Sequence, residues 1–570
     1  MRLIDIMFKN RGYTPEFIAD ISNGSHADLY RVDEVVQRLR ALYDNGSRIV
    51  VLPDFDMDGI MSGVIGYAGL AELGFNVALF IPDPNEGYEF TAATIRRLYS
   101  QYPDVCTILT CDVGTSCYDG IDEAKRLGVD VIVTDHHNTL FDFEECMHAD
   151  VVVNPMQPSD PYEHSYICGA FVLYQCLMKY AEMYAGPLMC DQMKRLSVFA
   201  GIGTISDMMP LLYENRCLVC DAIAFCRLLY GDGNSWFVDC MPGSVVYKRA
   251  FIGLYSVFRV FAEKSKIRDG SSIDENFFGF YLAPMFNSVK RLGGQMTDAF
   301  DVFFGFDAVG SANRLYDMNE KRKELVETSL SNIFSSEQPF APYVYFSDAP
   351  AGLFGLLAAK LMALDGLPKL VLRQDPVKHS FRGSGRSPVW YPLFSRATAN
   401  EFYIAGHEHA FGAGFRDIAD IERFCSFLAD DCKKCYDAVD TDTIKPFIPD
   451  FTIALDGSGD VGIDIPLFIE YISDVSKLAP FGQGFEKPCI LLRFRAGDGV
   501  WSTLVSKKNS SKSHLKVELP YQFNVLCWNE GQMISRSDNP DELIEVTGHL
   551  ELNEFRGDVS INFIADTFAV

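Results

Sequence analysis

Arg48-Ile-Val-Val-Leu-Pro-Asp-Phe-Asp-Met-Asp-Gly59 decides how this chain is read. A run of β-branched and apolar residues ends abruptly in three carboxylates spaced two apart, and Gly59 then opens an apolar stretch of helical periodicity. An unbroken apolar run of this length predicts a strand buried on both faces of a parallel sheet. The same grammar returns downstream. Cys106-Thr-Ile-Leu-Thr-Cys111 precedes Asp112, Val129-Asp-Val-Ile-Val-Thr134 precedes Asp135-His136-His137, and Val151-Val-Val153 precedes Asn154-Pro155. Helical patterns over 59–72, 118–127 and 170–184 separate these runs, so the segment reads as βαβ units building a parallel α/β sheet. A fifth cluster, Gly203-Thr-Ile-Ser-Asp207, closes the series. Side chains placed just past parallel strands converge at one sheet edge, where open α/β folds bind ligands.

Hard carboxylate oxygens with one or two imidazoles suit Mn²⁺ or Mg²⁺. Asp56 and Asp58, leading into the Gly59 turn, can splay to serve two ions. Asp112 comes from a neighbouring strand end and is placed to bridge them, His136 offers a neutral imidazole, and Asp207 can complete a coordination sphere. Two ions roughly 3.5–4 Å apart polarise a phosphoryl oxygen and lower the pKa of a shared water. Each element alone has an ordinary explanation: Asp-x-Asp caps helices and turns, and Asn-Pro marks a turn. Their joint order within one βαβ series is what points to a two-metal phosphodiesterase centre.

At 570 residues the chain exceeds one hydrophobic core and predicts roughly three or four domains. Apolar content of 48% against 22% charged excludes a disordered chain. No apolar run reaches the roughly 18 residues needed to span a bilayer, and the N-terminus shows no secretion signal, so a cytoplasmic protein with no membrane partner is expected. The 16 cysteines are scattered, many within apolar segments, as in reduced proteins. Cys217-Leu-Val-Cys220 and Cys432-Lys-Lys-Cys435 have zinc-ligand spacing but fall inside helical patterns. The net charge of −27 disfavours tight duplex binding, although bound divalent ions and a local arginine cluster would supply positive charge where phosphate sits.

Beyond residue 207 the chain turns helical and rich in Phe, and 299–335 reads as one long connecting helix. A second α/β unit follows over 336–440, with strands at 343–346 and 369–372, a helix over 352–364 and the segment Phe381-Arg-Gly-Ser-Gly-Arg-Ser387. Five short β runs over 441–570 fit a small Greek-key barrel. Residues 1–298, with N-terminal helices, form the expected first domain.

At this point the chain resembles a known family. Asp54-Phe-Asp-Met-Asp-Gly-Ile-Met-Ser62, Thr110-Cys-Asp-Val-Gly114, Val133-Thr-Asp-His-His-Asn138 and Gly203-Thr-Ile-Ser-Asp-Met-Met-Pro-Leu211 look like the motifs of DHH phosphoesterases, and within that superfamily of RecJ-like single-strand-specific exonucleases. Arg382-Gly-Ser-Gly-Arg-Ser387 and Gly406-His-Glu-His-Ala-Phe-Gly-Ala-Gly414 look like the DHH-associated substrate-binding domain. Leu478-Ala-Pro-Phe-Gly-Gln-Gly484 resembles the start of the OB-fold domain. The resemblance implies metal ligands at Asp56, Asp58, Asp112, His136 and Asp207, with Asp54 a ligand or a second carboxylate behind them. Asp135 and Asn154 would orient the ligands, and His137 would face the substrate phosphate. Ser384, Arg386, Ser387, Gly406 and His407, with Asn287 and Arg291, would bind substrate. In Pro284-Met-Phe-Asn-Ser-Val-Lys-Arg-Leu292 the chain departs from the pattern: Met285 stands where the family tends to carry arginine and Lys290 where it tends to carry glycine. Ala405 replaces a glycine, and Met57 a smaller residue.

The resemblance thus implies a monomeric enzyme using two divalent ions, Mn²⁺ or Mg²⁺. It would degrade single-stranded DNA from its 5′ end to mononucleotides, with roles in recombination and repair and a single-strand-binding protein as a candidate partner. In the C-terminal barrel, Phe523, Trp528 and Phe555 are candidates either for base stacking or for core. Two alternatives share the scaffold: a phosphodiesterase on short oligonucleotides or cyclic dinucleotides, and a non-catalytic replication scaffold.

Overall fold

The computed structural model describes residues 2–24, 27–83, 90–138, 148–158, 160–231, 238, 240–406, 408–438, 448–505, 513–528, 530–555 and 558–568. The chain divides into two compact units, Gly24–Ile444 and one joining Met1–Asn23 to Lys445–Val570.

In the larger unit, β1 (Arg48–Pro53), β2 (Val77–Leu79), β3 (Val105–Cys111), β4 (Asp130–Thr134) and β5 (Val151–Val153) form an all-parallel sheet in the order β2-β1-β3-β4-β5. Alternate residues feed two separate cores. Ile49, Val51, Leu109 and Ile132 pack on one face, while Val50, Leu52, Ile108 and Val131 pack on the other. That two-sided burial is why the strands read as unbroken apolar runs. The chain leaves β1 for β2 on one side and returns as β3 on the other, so the topological switch point lies between β1 and β3. The ladder continues one residue past each strand end. Asp54 N–H donates to Cys111 O (3.1 Å), Asp112 N–H to Thr134 O (2.9 Å) and Asp135 N–H to Val153 O (3.1 Å). Three acidic residues are thereby set side by side along the carboxyl edge.

The helix Met57–Glu72 starts where Asp56 caps it, its Oδ1 accepting from the Asp58 and Gly59 N–H groups at 3.0 and 3.1 Å. Gly169–Tyr184 and Pro187–Ser206 pack against it. The single long helix expected over 299–335 is interrupted. Thr297–Phe304 ends at Gly305, and Ala308–Ser335 restarts with the Asp307 carboxylate accepting from Gly310 N–H at 2.9 Å. A helix stop and a fresh N-cap within three residues outweigh the continuous periodicity.

The second sheet of this unit contains β6 (Val344–Phe346), β7 (Lys369–Gln374), β8 (Phe381–Arg386), β9 (Ile404–Gly406) and β10 (Ala410–Phe415), in the order β6-β7-β8-β10-β9. The glycine-rich segment after Ala405 is therefore half of an antiparallel hairpin, with Gly406 opposite Phe411.

In the smaller unit, seven strands lie in the order β11-β12-β16-β17-β15-β14-β13: β11 (Thr452–Ala454), β12 (Ile490–Arg495), β13 (Val500–Val505), β14 (Ser513–Leu519), β15 (Phe523–Cys527), β16 (Leu543–Phe555) and β17 (Asp558–Phe568). All five expected β runs are present, and β11 and β13 are additional. The first 23 residues group here and not with the parallel-sheet domain to which a 1–298 boundary assigns them. The physical reason is the apolar face of the helix Leu3–Arg11, where Leu3, Ile4 and Met7 bury into the same core as Phe451, Phe468 and Ile490. Asn10 also donates to the Asp450 carbonyl at 2.7 Å. Phe523 belongs to that core, whereas Trp528 is half exposed with its ring edge-on to His514; the Phe555 side chain lies outside the described residues. Among the described residues no helix is long and apolar enough to cross a membrane.

Candidate metal centre and substrate cavity

Six of the sequence-predicted ligands meet at the β1/β3 switch point. Ligating atoms of Asp54, Asp56 and Asp112 lie within 4.8 Å of one another, as do those of Asp58, His136 and Asp207, and those of Asp112, His136 and His137. The shared members make this one centre. His136 Nε2 is 3.1 Å from Asp112 Oδ1, 3.5 Å from Asp207 Oδ2 and 3.8 Å from Asp58 Oδ2.

Asp112 is the pivot. Its backbone takes φ 63°, a left-handed conformation costly for a residue with a side chain and characteristic of functional sites. Its Oδ1 is buried and makes no hydrogen bond, although His136 Nε2 is 3.1 Å away. A carboxylate oxygen and an imidazole nitrogen that face each other without hydrogen-bond geometry are arranged as two ligands of one cation. The donor set therefore fits a hard divalent ion.

Burial shapes the charges. It pushes the Asp58 carboxyl up to about 6, with Asp56 adding repulsion, and Asp207 up to about 8. Asp54 rises to about 7 by burial, against the Lys290 ammonium that lowers it. Asp112 rises well above the usual carboxylate range, first by burial and then by repulsion from Asp58 and Asp56. Crowded buried carboxylates without a cation hold protons instead. Burial also lowers His136 to about 4, with His137 adding repulsion, so its ring is the neutral form that ligates metal. A hydrogen bond to the Ile167 backbone orients that ring.

Asp135 is not part of the ligand clusters. Its Oδ1 accepts from the His136 and His137 N–H groups (2.8 and 3.2 Å) and contacts His137 Nδ1 at 2.8 Å. Its Oδ2 accepts from Thr115 N–H and Oγ1–H at 3.0 and 2.7 Å. Burial acts to raise its pKa, yet the His137 charge and these donors hold it well below the usual range. Reciprocally, the Asp135 charge raises His137 to about 10, so His137 presents a cation to the cavity. Asn154 steadies the turn by donating to Thr115 Oγ1 (3.1 Å) and the His137 carbonyl (3.0 Å).

Two glycines bring the helices close to these carboxylates. Gly169 N–H and Ala170 N–H, at the start of the helix Gly169–Tyr184, donate to Asp58 at 2.7 and 3.2 Å. A methyl group on Gly169 would lie 2.5 Å from Asp112 Oδ1, and one on Gly203 would lie 2.3 Å from Asp58 Oδ1.

A cavity of roughly 1500 Å³ opens on the centre. Asp54, Asp56, Asp112 and His137 line one wall; Arg373, Arg382, Ser384, Arg386 and Gly406 line the other. Arg373 and Arg382 are cross-strand partners on β7 and β8. His407 lies outside the described residues.

A sequence model described as the DHH family, N-terminal domain matches residues 48–201, and one described as the RecJ OB domain matches residues 465–567. The single-stranded-DNA-specific exonuclease RecJ of Bacillus subtilis is 25% identical over 577 residues, covering 97% of this chain and 66% of that protein. The chain thus spans just under two thirds of that relative. The enzyme of the same name from Haemophilus influenzae is 24% identical, covering 94% of this chain and 90% of its own length. The fold matches the crystal structure of RecJ in complex with Mn²⁺ from Thermus thermophilus, with a TM-score of 0.72 at 22% identity, over 100% of this chain and 76% of that one.

The chain carries a DHH-family domain and a RecJ OB domain.

Several substrate-binding residues carried over from the RecJ-like pattern take other positions. Asn287 does not line the cavity; its Oδ1 accepts from Met57 N–H at 2.9 Å and so holds the Asp54–Asp58 turn from a separate helix, Ala283–Leu292. Ser387 is buried, its hydroxyl donating to the Tyr391 carbonyl at 2.7 Å. Arg291 also stands off the cavity lining, lowered to about 10 by burial and by Arg322 and Arg386 nearby. Thr115, Arg373 and Arg382 were not singled out in the sequence; Thr115 lies one residue past the Asp112-Val-Gly114 motif, which was the available signal. Neither Cys-x-x-Cys pair gathers a third ligand among the described residues, and both sit on helices, Tyr213–Gly231 and Ile418–Ala438.

Proposed function

We propose that this protein is a metal-dependent phosphodiesterase that removes mononucleotides from the 5′ end of single-stranded DNA, in the service of recombination and repair. The observation that carries the reading is the buried Asp112 oxygen without a hydrogen bond, set among three overlapping ligand groups and facing a wall of arginines. Asp54, Asp56, Asp58, Asp112, His136 and Asp207 would hold two Mn²⁺ or Mg²⁺ ions, which supply Lewis acidity and an activated water. The rest is positioning by the chain itself. His137, kept cationic by Asp135, faces the cavity and neutralises a phosphate oxygen. Ser384 and Arg386 across the cavity suit a terminal phosphate, which a guanidinium binds bidentately. Arg373, Arg382 and Arg386 line the cavity that the metal-side carboxylates also line, so a chain of net charge −27 can still receive a phosphate. The names of the relatives support the single-strand preference, and the OB match supports a second grip on the strand through stacking and backbone contacts.

A monomer working in the cytoplasm beside a single-strand-binding protein belongs to the same proposal. The deciding experiment digests single-stranded and duplex DNA, blocked at either end, with Mn²⁺, Mg²⁺ or chelator. Shortening of single strands from an open 5′ end, abolished by chelator, is expected. Strands bound but left intact with both metals would establish a non-catalytic scaffold, and cleavage of dinucleotides alone would establish the short-substrate alternative.

A further inference from the structure

We propose that Lys290 is a phosphate-binding residue of this centre, a cation placed on the metal-side rim of the cavity. The inference rests on the phosphodiesterase reading above and assigns that site one more substrate contact. On the helix Ala283–Leu292 the residues divide by face. Met285, Phe286 and Val289 are fully buried in the core, while Asn287, Lys290 and Arg291 share the i, i+3, i+4 spacing of the opposite side. The Asn287 bond to Met57 N–H fastens that side to the acidic turn. Lys290, one helical turn further on, lines the cavity together with Asp54, Asp56 and Asp112.

Its ammonium stands 5.1 Å from the centroid of the Phe55 ring, and Phe55 lies between Asp54 and Asp56 in the chain. The ring face steers the flexible stem along the acidic turn. Where the family pattern carries arginine this chain has Met285, and that side chain is sealed in the core with nothing to offer a phosphate. The cation has moved to a position that faces the substrate. A lysine acts there as a point charge on a phosphate oxygen, with no bidentate geometry to satisfy.

A purely structural role, in which Lys290 only offsets the Asp54 charge, makes a different prediction. Removing a cation beside the metal ligands should then leave phosphate binding alone and alter Mn²⁺ affinity. The test uses the full-length protein loaded with Mn²⁺ and titrates inorganic phosphate and deoxyadenosine 5′-monophosphate by calorimetry, alongside turnover on single-stranded DNA. For Lys290→Met and Lys290→Gly the phosphate dissociation constant should rise about tenfold, with Mn²⁺ affinity unchanged or tighter. Lys290→Arg should restore phosphate binding to within about threefold. Phosphate binding by Lys290→Met equal to the wild type overturns the proposal, and so does a loss that Lys290→Arg fails to rescue. A wild type that shows Lys290-dependent phosphate binding yet cleaves no strand would overturn the exonuclease reading and leave this one standing.

Discussion

Gly169→Ala is the sharpest probe of the centre because it adds one methyl group and no chemistry. That methyl would lie 2.5 Å from Asp112 Oδ1, 2.6 Å from its Cβ and 2.8 Å from its Cα. Ordinary contact begins near 3.4 Å, so either Asp112 or the helix start must retreat by roughly 0.9 Å. Asp112 is already held at positive φ and cannot relax backwards cheaply. If the helix retreats instead, the 2.7 Å bond from Gly169 N–H to Asp58 lengthens and a second ligand loosens. Overpacking of this kind costs about 1–3 kcal/mol of stability. A displacement near 1 Å at the reacting centre costs about 10²-fold in rate. The assay compares Mn²⁺ affinity, single-strand turnover and thermal midpoint with those of Gly201→Ala. That control methyl would crowd the Ala222 Cβ and the Leu218 carbonyl at 2.6 Å, away from every ligand. Both variants should lose similar stability, and only Gly169→Ala should lose metal affinity and turnover. Wild-type turnover and Mn²⁺ binding in Gly169→Ala, or equal activity losses in the two, would refute the argument.

Metal affinity should rise with pH between about 6 and 8, because Asp58, Asp54 and Asp207 are raised to about 6, 7 and 8 and must release protons to bind an ion. Calorimetry in buffers of different ionisation enthalpy reads that release directly; pH-independent binding without proton release would contradict it. The same groups bind protons more tightly folded than unfolded, so metal-free protein should be most stable below about pH 4 as far as they are concerned. It should lose that contribution as pH climbs through about 6–8, a loss Mn²⁺ should cancel in a melting series. Asn287→Ala leaves the Met57 N–H without its acceptor and should cost about 1–3 kcal/mol, lowering turnover on the loosened Asp54–Asp58 turn more than it raises KM. Asp135→Asn should bring the His137 titration, followed by NMR, down from about 10 toward the ordinary imidazole range, with an activity loss of about 10–100-fold; an unmoved His137 would show that Asp135 is not its partner.

What could be read from the sequence, and what could not, follows from which interactions are local. The strands β1, β3, β4 and β5 were legible because burial on both faces leaves an unbroken apolar run, and the acidic edge was legible because Asp54, Asp112 and Asp135 each follow such a run by one residue. β2 escaped because it is a three-residue edge whose residues are only half-buried, too short to show a period. The N-terminal helices were legible but the partner of Leu3–Arg11 was not, since a helical pattern does not record what the helix packs against. The centre divides along the same line. Carboxylates and imidazoles advertise their chemistry wherever they stand, whereas Gly169 and Gly203 act through the absence of a side chain, which only the neighbours' positions reveal. Asn287 carries a polar group, yet its contact to Met57 spans 230 residues and nothing near either position signals it. The acidic net charge is uninformative about the site for a related reason: a sum over 570 residues cannot register that Lys290, Arg373, Arg382 and Arg386 line one cavity. For a phosphate-processing enzyme the charge that matters is the field within about 10 Å of the phosphate, because salt screens the rest of the surface. An acidic exterior is therefore compatible with this chemistry, and raising salt should weaken phosphate binding at the cavity far less than it weakens non-specific binding of long strands.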